Sequence, residues 1–479
     1  MLISVVLAII FASAYAQLGG VECPPKSGDS YTLGLLGFSN AFYSAWLATE
    51  HAVNLNALAN KPSVGCFDFN LTLFTGDAGA SDELTCRSDA DYPYITYERE
   101  IGDGCPDICF PVNSLYFSTD CTAARGAPGA QFIMDAAPDV VGVVGAGCSG
   151  PTVEAAKTLQ AAGLPLISPS ATSPALSVVE THPNFFRTCP GDAGQSKALV
   201  DIAQGFGITK AAVIATPDPY SKGFADAIVG FMPGAGIELT TYQLVGEDTD
   251  TSDEAEVEAA IAAIKDSGAK LIFITAHCDN SRKFKTYGEQ YGMTADNCYI
   301  WMGGDGNTRD RCVPTETSNP NFLGNVGTNP RGGSGDIYLD MMGFWAEQDE
   351  CAFPSQIHTE GVQSLEGYAT ETYDAVLAYA MAIKRIRAAG MEVTPAAIIA
   401  ELDKDDFQFQ GATGIVSFGG EFDPPIGDHD RPPIYDIEAY EGKWIQVGYW
   451  SPLDLETVNI FFPIVFAGGV FEPPACFNE

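Results

Sequence analysis

The chain has 479 residues and carries 62 acidic against 24 basic side chains, a formal net charge of −38. Because nucleic acids and anionic membrane surfaces are themselves negative, this balance all but excludes both as direct partners. A length of 479 residues also exceeds what a single hydrophobic core usually holds, which predicts two domains or lobes.

The N-terminus has the pattern of a secretory signal. Residues 2–13 are apolar, and Ala14, Tyr15 and Ala16 follow as a small-x-small cleavage site. We therefore expect residues 1–16 to be a signal peptide and the mature chain to be extracellular, either secreted or at the outer face of the plasma membrane. No run reaches the roughly 18–20 apolar residues of a membrane-spanning helix, so we expect membrane attachment only through a partner or a further domain.

The chain contains 13 cysteines. In a secreted protein this number predicts disulfides, and an odd count leaves one cysteine free or bonded to another chain. Cys148 is either a reactive thiol or one half of a disulfide to an upstream cysteine, and the disulfide is favoured. Asn70 begins an Asn-Leu-Thr sequon, which predicts a glycosylated surface.

The segment before residue 138 mixes predicted strands, helices and a loop-rich insertion. Short apolar runs bounded by turn residues indicate strands, whereas longer periodic runs indicate helices. The predicted elements are strands at 31–38 and 69–74, helices at 41–58 and 131–137, and a cysteine-rich excursion at 91–125.

The stretch from 139 to 173 is the most informative part of the sequence. A buried strand at 140–144 leads through a glycine turn into a helix that ends at Gly163, and a second strand follows at 164–167. The carboxyl ends of these two strands meet at one edge of a parallel sheet and carry Ser149, Ser170 and Thr172. Since Ser149 also lies at a helix N-terminus, this edge is suited to a carboxylate.

The same stretch contains a pattern typical of dinucleotide-binding proteins. Gly145, Gly147 and Gly150 form G-x-G-x-x-G between a strand and a helix. That fold requires an acidic residue about 20 positions further on, where this chain has Ser168, Pro169 and Ser170. We therefore expect no nucleotide and no other cofactor.

A second series of strands and helices begins near residue 188. Its predicted helices lie at 193–206, 218–233 and 253–266, and its predicted strands at 211–215, 237–243, 270–275 and 298–302. Residues 303–334 are rich in Gly, Pro and Asn and are predicted to form a long connection. Helices at 366–387 and 394–402, strands at 414–418, 433–437 and 442–450, and a buried strand and turn at 460–471 complete the chain. Strands that alternate with helices predict an α/β fold with parallel sheets.

Several blocks of this sequence resemble a known family. GAGCSGPTVEAA, LPLISPSATSPALS and PNFFRT recur in the order and spacing of the extracellular ligand-binding region shared by class C G-protein-coupled receptors, natriuretic-peptide receptors and bacterial branched-chain amino-acid binding proteins. The likeness covers about residues 31–474 and is greatest to the Venus-flytrap modules of metabotropic glutamate and GABA-B receptors.

The resemblance implies a bilobed fold of the periplasmic-binding-protein-like type I. Lobe 1 would comprise residues 30–187 and 331–432, and lobe 2 residues 188–330 and 433–479, so that the chain crosses between the lobes several times. The ligand would lie between the lobes and close them without being chemically changed. A homodimer through lobe 1 is a further expectation.

The resemblance also implies a ligand site. Ser149 and Thr172 match positions that hold the α-carboxylate of an amino acid. The matching positions around the ammonium group are Ser170 (through its carbonyl), Thr172, Asp192, Tyr220 and Asp305. The distal basic residues of glutamate receptors align with Phe42 and Tyr368 here, so an apolar, aromatic or small amino acid is a better candidate than glutamate.

Each of these residues also has a purely structural interpretation. Asp192, with Gln195 three residues on, has the pattern of a capping box. Tyr220 could pack between the lobes, and Asp305 between glycines is a common turn residue. Asp218 is interpreted as a helix N-cap.

Metal and catalytic sites have weaker support. Asp423, Asp428 and Asp430 lack the ligand ladder of a calcium loop, and a solvated hairpin is favoured. His277, Cys278 and Asp279 are too tightly clustered for zinc. Since the sequence offers no nucleophile elbow or Ser-His-Asp arrangement, an enzyme is the least favoured class.

Three functions remain open at this level. The first is an extracellular, receptor-type module that closes on a small amino acid or a similar zwitterion. The second is a soluble carrier that delivers such a ligand to a transporter. The third is an interaction protein that has kept the fold and lost the pocket.

Overall fold

The described part of the protein contains two large β-sheets of different construction, each covered by helices, and one small two-stranded sheet. The computed structural model describes residues 23–36, 45, 48–73, 121–314, 319–346, 368–418, 429–454 and 456–467. A five-stranded sheet has the order β2-β1-β3-β4-β5, an eight-stranded sheet has the order β15-β14-β13-β10-β9-β8-β6-β7, and a two-stranded sheet pairs β11 with β12. The bilobed α/β class predicted from the sequence is therefore confirmed.

The first, five-stranded sheet is parallel throughout. Its strands are β1 (Ser30–Leu35), β2 (Asn70–Leu73), β3 (Val140–Val144), β4 (Leu166–Ser168) and β5 (Phe185–Arg187). The helices of this part are α1 (Gly126–Ala136) and α2 (Ser149–Ala161), preceded by a π-helical turn at Ala48–Asn54. All five residues of β3 are buried, as expected of a strand covered on both faces.

The second, eight-stranded sheet begins as a parallel α/β unit. Its first elements are α3 (Asp192–Gly205), β6 (Lys210–Ala215), α4 (Pro219–Phe231), β7 (Glu238–Leu244), α5 (Glu254–Asp266), β8 (Leu271–Thr275), α6 (Cys278–Gln290), β9 (Ile300–Gly303) and β10 (Val326–Pro330). Strands β6 to β10 are parallel to their neighbours in this unit.

The chain then returns to the first sheet before it completes the second. Helices α7 (Gly335–Ala346), α8 (Ala369–Ala388) and α9 (Pro395–Leu402) and strands β11 (Gln408–Gly411) and β12 (Gly414–Ser417) precede β13 (Tyr435–Tyr440), β14 (Trp444–Trp450) and β15 (Val458–Ile460). Short 3₁₀ turns lie at Ala123–Arg125, Pro174–Ser177, Met232–Ala235, Ala295–Asn297, Asp310–Cys312 and Pro320–Phe322. The returning helices share one hydrophobic core with β1 to β5, and Tyr379 of α8 donates a hydrogen bond to the Pro165 carbonyl at 2.9 Å.

Some predicted elements were wrong. The expected connection at 303–334 contains β10, which pairs with β9 on one side and β13 on the other. Its sequence VGTNP is typical of a loop, and although Val326 packs in the core, backbone pairing with both neighbours makes the segment a strand. Strand β5 and helices α6 and α7 were also missed. The segment at 460–471 was predicted to be a buried strand and turn. Phe461 and Phe462 are 60% and 62% exposed beside the edge strand β15, whereas Ile464 and Phe466 are buried.

A buried ion pair lies where the chain crosses between the sheets. Arg187, at the end of β5, donates hydrogen bonds to both carboxylate oxygens of Asp430, from Nε at 2.6 Å and from Nη2 at 2.5 Å. Both side chains are essentially inaccessible to solvent. Asp430 therefore belongs neither to a calcium loop nor to a solvated hairpin, which corrects both interpretations of this residue.

Three disulfides join described cysteines: Cys23–Cys66, Cys121–Cys148 and Cys278–Cys312. The second confirms the prediction that Cys148 bonds to an upstream cysteine. Cys189, in the segment between β5 and α3, is a free thiol and is buried.

Several predictions lie outside the described residues. They are the signal peptide at 1–16, the cysteine-rich excursion up to residue 120, the position of Phe42, the loop with Asp423 and Asp428, and the chain beyond 467. Within the described part, no helix is both long enough and apolar enough to cross a bilayer.

Candidate functional site

The carboxyl ends of β3 and β4 bring their hydroxyl side chains together. Gly145 turns the chain after β3 with φ +130°, and a Cβ there would lie 1.9 Å from the Leu36 carbonyl oxygen, so only glycine fits. The turn places Ser149 at the first residue of α2, where it is buried. Its hydroxyl accepts a hydrogen bond from the Ser173 N–H at 3.1 Å, which joins the helix start to the loop after β4.

Ser170 fixes the same two loops to each other. Its hydroxyl donates to the Gly147 carbonyl at 2.7 Å, and Ser168 donates to the Ala146 carbonyl at the same distance. The Ser170 hydroxyl is therefore occupied by a bond within the protein. This agrees with the prediction from the sequence only in that the predicted ligand contact is the Ser170 carbonyl and not its hydroxyl.

Thr172 connects this loop to the start of α3. Its carbonyl accepts a hydrogen bond from the Asp192 N–H at 2.8 Å. The helix N-cap is Gly191, and its first helical residue is Asp192, whose side chain makes no capping bond. Gln195 donates to the Thr328 carbonyl at 2.8 Å instead. The predicted capping box of Asp192 and Gln195 is therefore wrong.

Asp192 is the electrostatic centre of the site. Its side chain is fully buried, and neither carboxylate oxygen forms a hydrogen bond with a residue that the structure describes. Burial raises the pKa of Asp192 well above its ordinary value, and the negative charge of Asp305 raises it further. Arg187 and the Thr172 side chain lower the pKa but do not overcome burial. A buried, unpaired acid of this kind attracts a cation.

Tyr220 lies at the start of α4, and the N-cap of that helix is Asp218 as predicted. The Asp218 carboxylate accepts from the N–H groups of Tyr220 and Ser221, each at 3.1 Å. The Tyr220 hydroxyl donates to Asp305 Oδ1 at 3.1 Å and accepts from the Gly306 N–H at 3.1 Å. Burial and the charges of Asp305 and Asp192 raise the pKa of Tyr220 well above its usual range, so this phenol stays protonated.

Asp305 follows β9 and receives a second phenol that sequence reasoning did not assign to it. Tyr368, just before α8, donates to Asp305 Oδ2 at 2.6 Å. Both oxygens of Asp305 therefore carry a tyrosine donor. From the sequence, Tyr368 was noted only as a position without a basic side chain, because a contact over 63 residues leaves no local pattern.

The hydroxyl-bearing loops and the acidic residues meet directly. The Ser173 hydroxyl donates to the Pro219 carbonyl at 2.7 Å, which links the loop after β4 to the start of α4. Through these contacts the six predicted residues form one neighbourhood, with hydroxyls and a helix N-terminus on one side and two acids on the other. Among described residues, no group of three metal-ligating side chains is placed to hold a metal.

Comparisons with known proteins identify a family and several relatives. A sequence model of the family described as the receptor family ligand binding region matches residues 105–442. Metabotropic glutamate receptor-like protein E of Dictyostelium discoideum is 23% identical over 70% of this chain and 40% of its own length. Leu/Ile/Val-binding protein homolog 3 of Brucella melitensis is 27% identical over 42% of this chain and 49% of its own length.

A second bacterial protein is similar to a comparable part of the chain. The amino acid binding protein of Pseudomonas aeruginosa is 26% identical over 40% of this chain and 50% of its own length. The chain thus spans half or less of the length of these curated relatives.

Proposed function

Because the chain belongs to the family of the receptor ligand-binding region, we propose that it is an extracellular module that closes on a small amino acid or a similar zwitterion. The ligand lies between lobe 1 (residues 30–187 and 331–432) and lobe 2 (residues 188–330 and 433–479). The module binds and releases the ligand without changing it chemically.

The observation that carries this proposal is the buried carboxylate of Asp192, which has no hydrogen bond to any residue that the structure describes. A buried carboxylate without a partner is strongly unfavourable, and a positive group beside it removes most of that cost. The ammonium group of an amino acid supplies such a charge. Asp305 and the Tyr220 hydroxyl, which already share a hydrogen bond, complete the acidic side of the ligand site.

The other end of the ligand is a carboxylate. Ser149 opens α2, and a helix N-terminus offers unpaired N–H groups and a favourable dipole to an anion. The hydroxyls of Ser149 and Thr172 then donate to the ligand carboxylate, and charge-assisted hydrogen bonds of this kind contribute about 1.5–3 kcal/mol each. The site thus separates the two charges of a zwitterion.

A soluble carrier is the second candidate. It is supported by the similarity to the Leu/Ile/Val-binding protein homolog of Brucella melitensis. A receptor module is expected to form a homodimer through lobe 1, whereas a carrier is expected to be monomeric. Sedimentation equilibrium of the mature chain, with and without ligand, distinguishes the two.

The proposal is tested by thermal unfolding in the presence of each of the twenty amino acids. A ligand that binds only the native state raises the melting temperature, by the equivalent of about 2.7 kcal/mol at 100 times its Kd. Thr172→Val abolishes the shift, whereas Thr158→Val, on α2 with its hydroxyl bonded to the Glu154 carbonyl, retains it. If no amino acid at millimolar concentration shifts the wild-type transition, the proposal is wrong.

A further inference from the structure

Tyr368 occupies an unusual backbone position at the start of α8. Its φ of +57° lies in the left-handed region, which residues with a side chain rarely adopt. Its carbonyl accepts hydrogen bonds from the N–H and the hydroxyl of Thr372, at 2.9 and 2.8 Å. A non-glycine residue persists in this conformation when its surroundings hold it there, and here the side chain contributes to that hold.

The Tyr368 hydroxyl crosses from the helices of the first sheet to the second sheet. It donates to Asp305, which follows β9, at 2.6 Å, and Tyr220 donates to the other oxygen of the same carboxylate. Short hydrogen bonds to a charged acceptor are the strong ones. Burial and the charge of Asp305 raise the pKa of Tyr368 well above its usual range, so the donor stays protonated throughout the physiological range.

We propose that Tyr368 is a latch that holds the two lobes together through Asp305 and limits the ligand to a short side chain. The latch consists of protein groups alone, so it is formed before a ligand binds. Because the Tyr368 hydroxyl donates to the same carboxylate as Tyr220, the Tyr368 ring lies beside the acidic side of the proposed site, and a long ligand side chain has to displace it. The limit on ligand size rests on the function proposed above, whereas the latch does not.

The latch is tested first without any ligand. Tyr368→Phe keeps the ring and removes the donor, and small-angle X-ray scattering of the ligand-free protein is expected to show a larger radius of gyration than the wild type. Loss of a hydrogen bond to a charged group lowers the ratio of closed to open molecules about 10- to 150-fold. Equal radii of gyration for the two proteins would overturn the latch.

A matched control lies on the same helix. Tyr373 is buried, and its hydroxyl is hydrogen-bonded to His51 Nδ1 at 3.0 Å, within the core of the first sheet. Tyr373→Phe therefore leaves the radius of gyration unchanged, and an equal increase in this variant would also overturn the latch. If Tyr368→Phe does not fold, Asp305→Asn weakens the same bond from the other side and is expected to give the same opening.

The limit on ligand size is tested with glycine, alanine, leucine and phenylalanine. The wild type is expected to bind alanine more tightly than phenylalanine, and Tyr368→Ala to reverse or abolish that preference. Wild-type binding of phenylalanine as tight as that of alanine would overturn the size limit. If none of the four binds either protein, the size limit is overturned together with the proposed function, and the scattering result still decides on the latch.

Discussion

The two sides of the site differ in how completely the protein satisfies its own polar groups. On the hydroxyl side, formed by Ser149, Ser170 and Thr172, the Ser149 and Ser170 side chains and the Thr172 carbonyl have hydrogen-bond partners. On the acidic side, formed by Asp192 and Asp305, the first carboxylate has no hydrogen bond within the described residues. The hydroxyl side is therefore built in advance, whereas on the acidic side Asp192 is left for the cation proposed above.

This difference follows from local structure. The hydroxyl side lies on two loops that leave neighbouring parallel strands, so backbone groups are close at hand to pair with it. Asp192 stands one residue inside α3, beyond the N-cap position where its oxygens would reach the helix N–H groups. At the N-cap position, one residue earlier, an acid could bond to the helix N–H groups. At position 192 the carboxylate has no such bond and is available to the proposed ligand.

The largest expected effect comes from removing the charge of Asp192. Asp192→Asn costs about 2–5 kcal/mol of binding free energy, at least about 30-fold in Kd, because a buried charge pair is lost. The same change is expected not to lower the melting temperature of the ligand-free protein, because burial already disfavours the charged form of Asp192 there. Isothermal titration calorimetry and thermal unfolding measure the two effects.

The contrast between these two effects, a loss of affinity without a loss of stability, is the informative part of this prediction. Asp279→Asn, at a carboxylate that is 82% exposed, serves as the control and changes neither quantity. A loss of affinity accompanied by a lower melting temperature would mean that Asp192 supports the fold instead of the ligand.

The support of the hydroxyl side is tested next. Replacing Cys121 and Cys148 by serine removes a disulfide that spans 27 residues and lowers the free energy of unfolding by about 3–4 kcal/mol. Because Cys148 precedes Ser149, ligand affinity is expected to fall as well. Denaturant unfolding and calorimetry measure both.

Replacing Cys23 and Cys66 is the matched control, since that disulfide spans 43 residues. It lowers the free energy of unfolding by a similar amount and leaves affinity unchanged. An equal loss of affinity in both variants would show that the turn after β3 does not specifically support ligand binding.

A buried acid near the crossing between the sheets gives a pH-dependent effect. Burial raises the pKa of Glu371 to about 7, against an ordinary value of 4.5, although Thr370 and Arg431 lower it. Folding then favours the protonated form, so the stabilisation is present below pH 4.5 and is lost as the pH rises to about 7. The expected loss is about 3 kcal/mol.

The measurement is the free energy of unfolding across this pH range. In Glu371→Gln the free energy of unfolding is expected to fall less with rising pH. Glu392→Gln, at an exposed position, is expected to show the same fall as the wild type. A wild-type stability that rises over the same range with no difference from Glu371→Gln would contradict the assignment.

The smallest expected effect is at Ser170. Its hydroxyl bonds to the Gly147 carbonyl, so Ser170→Ala removes one hydrogen bond and costs about 0.5–1.5 kcal/mol of stability. Ligand affinity stays nearly unchanged, because the expected ligand contact is the Ser170 carbonyl. Calorimetry that shows a loss as large as that of Asp192→Asn would place the hydroxyl itself against the ligand.

The sequence was sufficient where the determining interactions are local. The β-branched run of β3, the glycine turn and the hydroxyls after β4 predicted the edge on which Ser149 and Thr172 lie. Asp218 was recognised as an N-cap because its partners are two and three residues away.

Long-range pairing explains what could not be predicted. Arg187 and Asp430 are separated by 243 residues, and Tyr368 reaches Asp305 across 63. Strand β10 has a composition typical of a loop and is a strand because two neighbours supply its hydrogen bonds. Only the assembled fold defines these contacts.

The central claim is that Asp192 receives the ammonium group of a zwitterion, and proton release on binding tests it most directly. The pKa of Asp192 is raised in the free protein, and an adjacent ammonium lowers it again. Calorimetry in two buffers of different ionisation enthalpy, from about pH 4 to about pH 8, with the amino acid that gives the largest thermal shift, is expected to show release of up to one proton per ligand. Asp192→Asn is expected to abolish that release, whereas tight binding without proton release in the wild type, and undiminished binding in Asp192→Asn, would contradict the account.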